Sequence, residues 1–282
     1  MIINSICVCG AGTMGSGIAQ LCAQSGFYTL LYELNEEVLE KAKTGINKSL
    51  ATLADKGKIS VTEKDKIFQR IRFTNDLQDC QADVFIEAIL EKSELKISLF
   101  NQLAELNHSE CIFATNTSSL SVTALAEKIK NPGRVIGMHF FNPAPLMKLV
   151  EVVNTRFTEK DVSDSILTLA GQLGKTAVLC ADSPGFIVNR VARPYYIESL
   201  RLVEEGHIHF SQLDALMEAS GFKMGPFKLM DMIGNDINYA VSCSVYEQLE
   251  KPGRLQPSYL QEEKVKQGKL GKKSGGGYYD YS

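Results

Sequence analysis

The stretch from Ile2 to Glu33 constrains the fold more than any other part of the chain. Ile2–Cys9 reads as a short apolar strand, and Gly10-Ala11-Gly12-Thr13-Met14-Gly15 follows at once. Gly15 to Gly26 then reads as a small-residue helix, and Phe27–Tyr32 as a second strand ending in Glu33. Strand, G-x-G-x-x-G, helix, strand and acid, with the acid close to the expected separation of roughly 20 residues, form the dinucleotide-binding fingerprint. The glycines permit a tight turn and let the backbone approach a pyrophosphate, which the helix N-terminus then stabilises. Glu33 is placed to accept hydrogen bonds from the adenosine ribose hydroxyls and to repel a 2′-phosphate, so NAD is favoured over NADP.

The following segments extend this start into an α/β fold with a Rossmann-type, mostly parallel sheet. Glu36 to Arg70 is charged and helical in period, broken at Lys56-Gly57-Lys58, with Thr62-x-x-Asp65 as the expected start of its second helix. This helical arm, about residues 36–70, is too long for a simple crossover. It is either a solvated hairpin or a cover over a ligand. Strands are expected at Ile71–Thr74, Val84–Ile89, Cys111–Thr115 and Val135–Met138, with helices Leu95–Leu106 and Val122–Ile129 between them. Thr158-x-x-Asp161 is expected to cap a helix running to Leu173, and Lys175–Leu179 is a last strand.

Asp182-Ser183-Pro184-Gly185 is a turn-type linker, so the domains are expected at 1–183 and 184–282. The second is all-α: Phe186–Glu205, Ser211–Ala219 with cap Ser211-x-x-Asp214, Pro226–Leu249 and Ser258–Gln267. The Gly271–Asp280 tail has a composition unsuited to a regular element.

Ligands of such sheets bind beyond the carboxyl ends of the strands. Three polar clusters fall there: Glu87 to Glu91, Asn116 to Ser119, and His139 to Asn142. His139 ends a strand just before Asn142-Pro143-Ala144-Pro145, after which a second apolar run from Leu146 to Val153 carries Glu151. A carboxylate in an apolar strand is costly without a partner. If the chain doubles back at the Pro turn, His139 and Glu151 meet as a general base and its orienting acid. Taken alone, a histidine beside Phe140 and Phe141 is more often a satisfied core or surface residue.

Composition excludes other classes. A net charge of −3, with no Lys/Arg stripe, argues against nucleic-acid binding, so anionic ligands need local features such as helix N-termini. No apolar run approaches the roughly 18 residues of a membrane span. The N-terminus lacks a basic segment and reads directly as a strand, so no signal peptide is expected. The seven cysteines are scattered and are expected as free thiols of a cytoplasmic protein, without a metal. Cys7 and Cys9 are expected to point to opposite faces of their strand.

Seven segments in order make the chain similar to the 3-hydroxyacyl-CoA dehydrogenase family from Ile6 to Tyr281. They are GAGTMGSGIA (Gly10–Ala19), EAILEKSELK (Glu87–Lys96), TNTSSL (Thr115–Leu120), HFFNPAPLMKLVEVV (His139–Val153), DSPGFIVNR (Asp182–Arg190), MGPFKLMDMIGND (Met224–Asp236) and GKKSGGGYYDY (Gly271–Tyr281). The resemblance implies oxidation of an L-3-hydroxyacyl-CoA with NAD by a homodimer joined through the helical domain. It implies that His139 takes the hydroxyl proton while Glu151 holds the imidazole. Ser118 and Asn189 would bind the substrate oxygen, with Asn142 in support. Glu91, Lys96 and Asn116 match positions near the cofactor, alongside Gly10, Gly12, Thr13, Met14, Gly15 and Glu33. Ser49 and Lys56 match positions that meet CoA.

VARPYYIESLRLVEEG and FKMGPFKLMDMIGNDINYAVSCSVYE are similar to the bacterial 3-hydroxyadipyl-CoA branch, as against 3-hydroxybutyryl-CoA dehydrogenases. Arg193 and Lys223 are cationic candidates for a distal carboxylate, and each also reads as an ordinary surface residue. Two alternatives keep the fold: a CoA-independent hydroxy-acid or gulonate-type dehydrogenase, and a catalytically idle structural protein.

Overall fold

An eight-stranded sheet dominates the first part of the computed structural model, which describes residues 2–281. In chain order the elements are β1 (Ser5–Cys9), α1 (Thr13–Gln24), β2 (Tyr28–Tyr32), α2 (Glu36–Asp55), α3 (Val61–Gln69), β3 (Ile71–Thr74) and β4 (Val84–Glu87). They continue with α4 (Ser93–Leu106), β5 (Ile112–Thr115), α5 (Val122–Ala126), β6 (Val135–Phe140), β7 (Leu149–Asn154), α6 (Lys160–Gln172) and β8 (Thr176–Ala181). The strand order is β3-β2-β1-β4-β5-β6-β7-β8. The first six of these pair in parallel, with the order reversing beside β1. The helices cover both faces, so β1, β4 and β5 are near-continuous buried runs. β7 turns back antiparallel to β6, and β8 runs parallel to β7.

Register fixes the functional edge. Cys9 lies opposite Glu87, Glu87 opposite Thr115 and Thr115 opposite Gly137. The residues just beyond, Gly10, Ala88, Asn116 and Met138, therefore fall along one line, with His139 next on β6. That is where the expected polar clusters were placed.

The arm is neither detached nor wholly solvated. Leu39, Ala42, Ile46 and Leu50 of α2, at helical spacing, join Ile67 of α3 in the same core as Ile18, Leu31 and Val84. Several caps differ from expectation. α3 starts at Ser60, whose hydroxyl accepts the Glu63 N–H, and not at Thr62. Thr158 does not cap α6, because its hydroxyl donates to the Val135 carbonyl (2.8 Å) and Asp161 pairs with Arg134. Cys7 and Cys9 share one face of β1, sulfurs 3.9 Å apart, because side chains two apart in a strand point the same way. All seven cysteines are free, and no three-residue His/Cys/Asp/Glu group suited to a metal occurs among the described residues.

The chain divides between Asp182 and Ser183, and the second compact unit is helical. Its elements are α7 (Val188–Glu204), α8 (Phe210–Ala219), α9 (Pro226–Ile233), α10 (Asn235–Gln248) and α11 (Tyr259–Lys266). The single helix expected over Pro226–Leu249 is two, broken where Gly234 takes φ +104°, open to glycine but strained for other residues. His209, not Ser211, caps α8. Asp214 instead accepts the Phe227 and Lys228 N–H groups at the start of α9 and the Tyr279 hydroxyl. The glycine-rich tail is irregular, as expected, yet pinned. The buried Asp231 carboxylate accepts from Tyr278 N, Tyr279 N and the Tyr281 hydroxyl.

No described helix is long and apolar enough to cross a membrane.

Candidate active site

The glycine loop leaves β1 with Gly10 at φ +101°, its amide donating to Tyr32 O (2.8 Å). A Cβ on Gly10 would lie 2.6 Å from Ala88 O, and one on Gly15 would lie 1.7 Å from Gly10 O. Those two glycines allow α1 to seat directly on the strand ends. Gly12, the N-cap of α1, differs: a Cβ there would meet nothing within 4 Å, so its bare backbone faces open space. Glu33, at the end of β2, accepts the Ala11 N–H (3.0 Å) and the Asn35 N–H (3.1 Å), which hold its carboxylate beside the loop.

A cleft of about 460 Å³ opens alongside. Gly12, Thr13 and Ser16 line one wall, Lys41, Gly45 and Ser49 of α2 another, and Asn142–Pro145 a third. Ser49 and Asn142 thus meet the glycine loop in one cavity, whereas Lys56, exposed at the end of α2, is not in its lining. Lys175 fixes the third wall: its Nζ donates to Ala144 O (2.6 Å) and Met147 O (2.7 Å). Burial lowers this ammonium below its ordinary range, consistent with a cation spent on carbonyls and not on a carboxylate.

His139 and Glu151 are directly opposed on β6 and β7, with Nδ1 2.8 Å from the Glu151 carboxylate. Glu151 is 1% exposed, and the Phe141 ring lies 4.6 Å from the imidazole. With an N–H on Nδ1 given to Glu151, the lone pair of the neutral ring belongs to Nε2.

Asn116 joins this pair to its neighbours by accepting the Phe140 N–H (2.8 Å). Beneath it lies a buried ionic network. Lys96, 1% exposed, donates to Glu87 (2.6 Å) and pairs with Glu91 (3.0 Å). Glu87 also accepts from the Thr115 hydroxyl and Ile89 N, and Glu91 from the Thr117 hydroxyl, Ser118 N and Ser119 hydroxyl. Glu91 and Lys96 therefore shape the Asn116–Ser119 loop through protein contacts. Asn189 stands in the first turn of α7, in the helical unit.

Two family models match nearly the whole chain. Residues 5–183 match the 3-hydroxyacyl-CoA dehydrogenase NAD-binding domain, and residues 185–281 the C-terminal domain of the same family. The chain belongs to the 3-hydroxyacyl-CoA dehydrogenase family. It is 46% identical to a 3-hydroxyadipyl-CoA dehydrogenase of Escherichia coli over all of this chain and 60% of that protein, so it spans about three-fifths of that relative's length. It is 41% identical to a probable 3-hydroxybutyryl-CoA dehydrogenase of Deinococcus radiodurans, over 97% of this chain and 99% of the relative. The crystal structure of an (S)-3-hydroxybutyryl-CoA dehydrogenase from Ralstonia eutropha superposes with TM-score 0.95 at 35% identity, over the full length of both chains.

The cofactor of this family of dehydrogenases is NAD, and the observed loop fits it. Gly12 leaves the approach to the α1 N-terminus open, and Glu33 is held beside the loop. Glu33→Ala is expected to relax discrimination against NADP by about tenfold or more in the ratio of kcat/KM values. An undiminished preference for NAD would mean that another residue sets it.

Lys175 and Thr115 escaped sequence reasoning, and Thr117 entered it only as a member of the Asn116–Ser119 cluster. Thr115 could have been found as a hydroxyl beside Asn116 at a strand end. Lys175, beyond a helix in another crossover, carries no local signal.

Proposed function

We propose that this chain oxidises an L-3-hydroxyacyl-CoA to the 3-oxoacyl-CoA, with His139 as general base. The observation that carries the proposal is the His139–Glu151 pair on the sheet edge that also bears the glycine loop. When bound, NAD supplies the hydride acceptor for C3. His139 Nε2 takes the hydroxyl proton, and the Glu151 carboxylate stabilises the imidazolium that results. In the reverse direction the imidazolium returns that proton while Ser118 and Asn189 stabilise the developing oxyanion. Asn142 supports this arrangement, and Ser49 and Lys56 meet the CoA moiety. Similarity to both 3-hydroxyadipyl-CoA and 3-hydroxybutyryl-CoA dehydrogenases supports a short acyl chain of one of these two types.

The free cysteines support a cytoplasmic setting. A homodimer formed through the helical unit would cover the exposed Val191, Met232 and Ile237.

Consumption of NADH with acetoacetyl-CoA, compared with free acetoacetate, tests the proposal. Turnover of the thioester alone is expected. Turnover of the free acid at an equal rate would favour a CoA-independent hydroxy-acid dehydrogenase, and none with any oxo compound an idle structural protein. Glu151→Gln removes the charge that stabilises the imidazolium formed in the reaction, so kcat/KM for oxidation should fall by about tenfold or more. An unchanged rate would remove Glu151 from the pair.

A further inference from the structure

Arg193 does not sit where a surface arginine would. It is 2% exposed, within the helical unit, and every group that holds it is neutral. Its Nε donates to Asn189 O (2.9 Å), and Nη1 donates to Asn238 O (3.0 Å) and the Ser242 hydroxyl (2.8 Å). The Tyr196 ring lies 4.9 Å away. No carboxylate among the described residues pairs with it. Burial pushes this guanidinium down to about 10, which is what a cation stripped of water and given no counter-charge should show.

A second buried donor lacks a partner nearby. Asn238, 1% exposed on α10, has its amide oxygen taken by Gln261 Nε2 (3.2 Å), while its amide nitrogen has no acceptor. Buried polar groups are ordinarily satisfied, and buried charges are ordinarily paired. The α7–α10 junction thus carries an excess of donors, one of them cationic, and lacks an anion with acceptor oxygens. A carboxylate supplies both.

The position of Arg193 indicates which carboxylate. It lies one helical turn beyond Asn189, the residue proposed above to bind the oxygen on C3. One turn is about 5.4 Å, comparable to the distance from C3 to a carboxylate at the far end of a short dicarboxylic acyl chain. Lys223, the other cationic candidate, is exposed and has no such setting.

We propose that Arg193 is a specificity-determining residue that receives the distal carboxylate of a dicarboxylic 3-hydroxyacyl thioester. This rests on the dehydrogenase function above and narrows its substrate class. Arginine suits the task because it keeps its charge when buried, and with Nε and Nη1 engaged by α7 and α10 the two hydrogens on Nη2 are left to donate to a carboxylate.

The test compares kcat/KM for 3-hydroxyadipyl-CoA and 3-hydroxybutyryl-CoA in the wild type, Arg193→Met and Arg193→Lys. The wild type is expected to favour the dicarboxylic thioester. Arg193→Met should lose roughly a hundredfold on that substrate, mainly through KM, and stay within a few-fold on 3-hydroxybutyryl-CoA. Arg193→Lys, which keeps the charge without the guanidinium that spans α7 and α10, should show a smaller loss of the same selectivity, and it decides the matter if the methionine variant fails to fold. Equal losses on both substrates would mean that Arg193 only joins α7 to α10, and no loss on either would mean that no carboxylate reaches it. Either result overturns the proposal. A wild type inactive on both thioesters would instead overturn the dehydrogenase function, and the proposal with it.

Discussion

His139→Gln is expected to lose at least about two orders of magnitude in turnover while binding NAD as tightly as the parent chain. Glutamine can still donate an amide hydrogen to Glu151, so the buried carboxylate keeps a partner and the β6–β7 pairing survives. What it lacks is a nitrogen that takes up and releases a proton near neutral pH. The groups proposed to meet the cofactor, Gly10 to Gly15 and Glu33, belong to the loops beyond β1 and β2, so they keep their geometry. Titration of NADH fluorescence would measure cofactor binding, and initial rates with the thioester would measure the chemistry. Near-normal turnover would remove His139 from the mechanism. Loss of both properties together would point to a collapsed fold.

Lys96→Met should cost about 3–5 kcal/mol of stability, because among the described residues it strips the one cation paired with Glu87, 0% exposed, and with Glu91. The remaining hydrogen bonds from Thr115, Ile89, Thr117 and Ser118 do not neutralise two carboxylates. The loss should depend on pH. Burial already pushes the Glu87 carboxyl above its ordinary range, despite Lys96 and the surrounding donors. Without Lys96 that rise grows, so the folded variant binds a proton that the unfolded chain has released. Its stability then falls as pH rises from the ordinary carboxylate range through the raised folded value. Urea denaturation at mildly acidic and mildly alkaline pH should show the larger deficit at alkaline pH. A deficit independent of pH would mean that lost packing around the lysine stem, not uncompensated charge, is the cause. The same variant should lower turnover beyond its effect on stability, since Asn116 and Ser118 stand on the loop that this network holds.

Much of this was legible in the sequence, and for identifiable reasons. Alternating apolar strands and amphipathic helices yield the parallel sheet, and a glycine loop between strand and helix marks its ligand edge. The meeting of His139 with Glu151 follows from chain reversal at Asn142–Pro145, which returns β7 antiparallel to β6 in a register that opposes the two. The network around Lys96 was not legible as a network. Its members lie on a strand, a loop and a helix, and only the packing of α4 brings them together. Helix starts were misplaced where a capping pattern competed with another use of the same side chain, as with Thr158 bonded to Val135 O and Asp214 capping α9. The break at Gly234 was hidden inside an otherwise continuous helical run. The surface reading of Arg193 stayed open beside the cationic one because sequence spacing does not reveal that α10 closes over that face of α7.

The most direct test of the proposed chemistry follows the hydrogen itself. L-3-hydroxybutyryl-CoA carrying deuterium on C3 is incubated with the protein and NAD, and the reduced cofactor is analysed by mass spectrometry. Hydride transfer from C3 predicts NADH bearing one deuterium, formed from the L enantiomer and lost in His139→Gln. Reduced cofactor without the label, or formed from the D enantiomer alone, would contradict it.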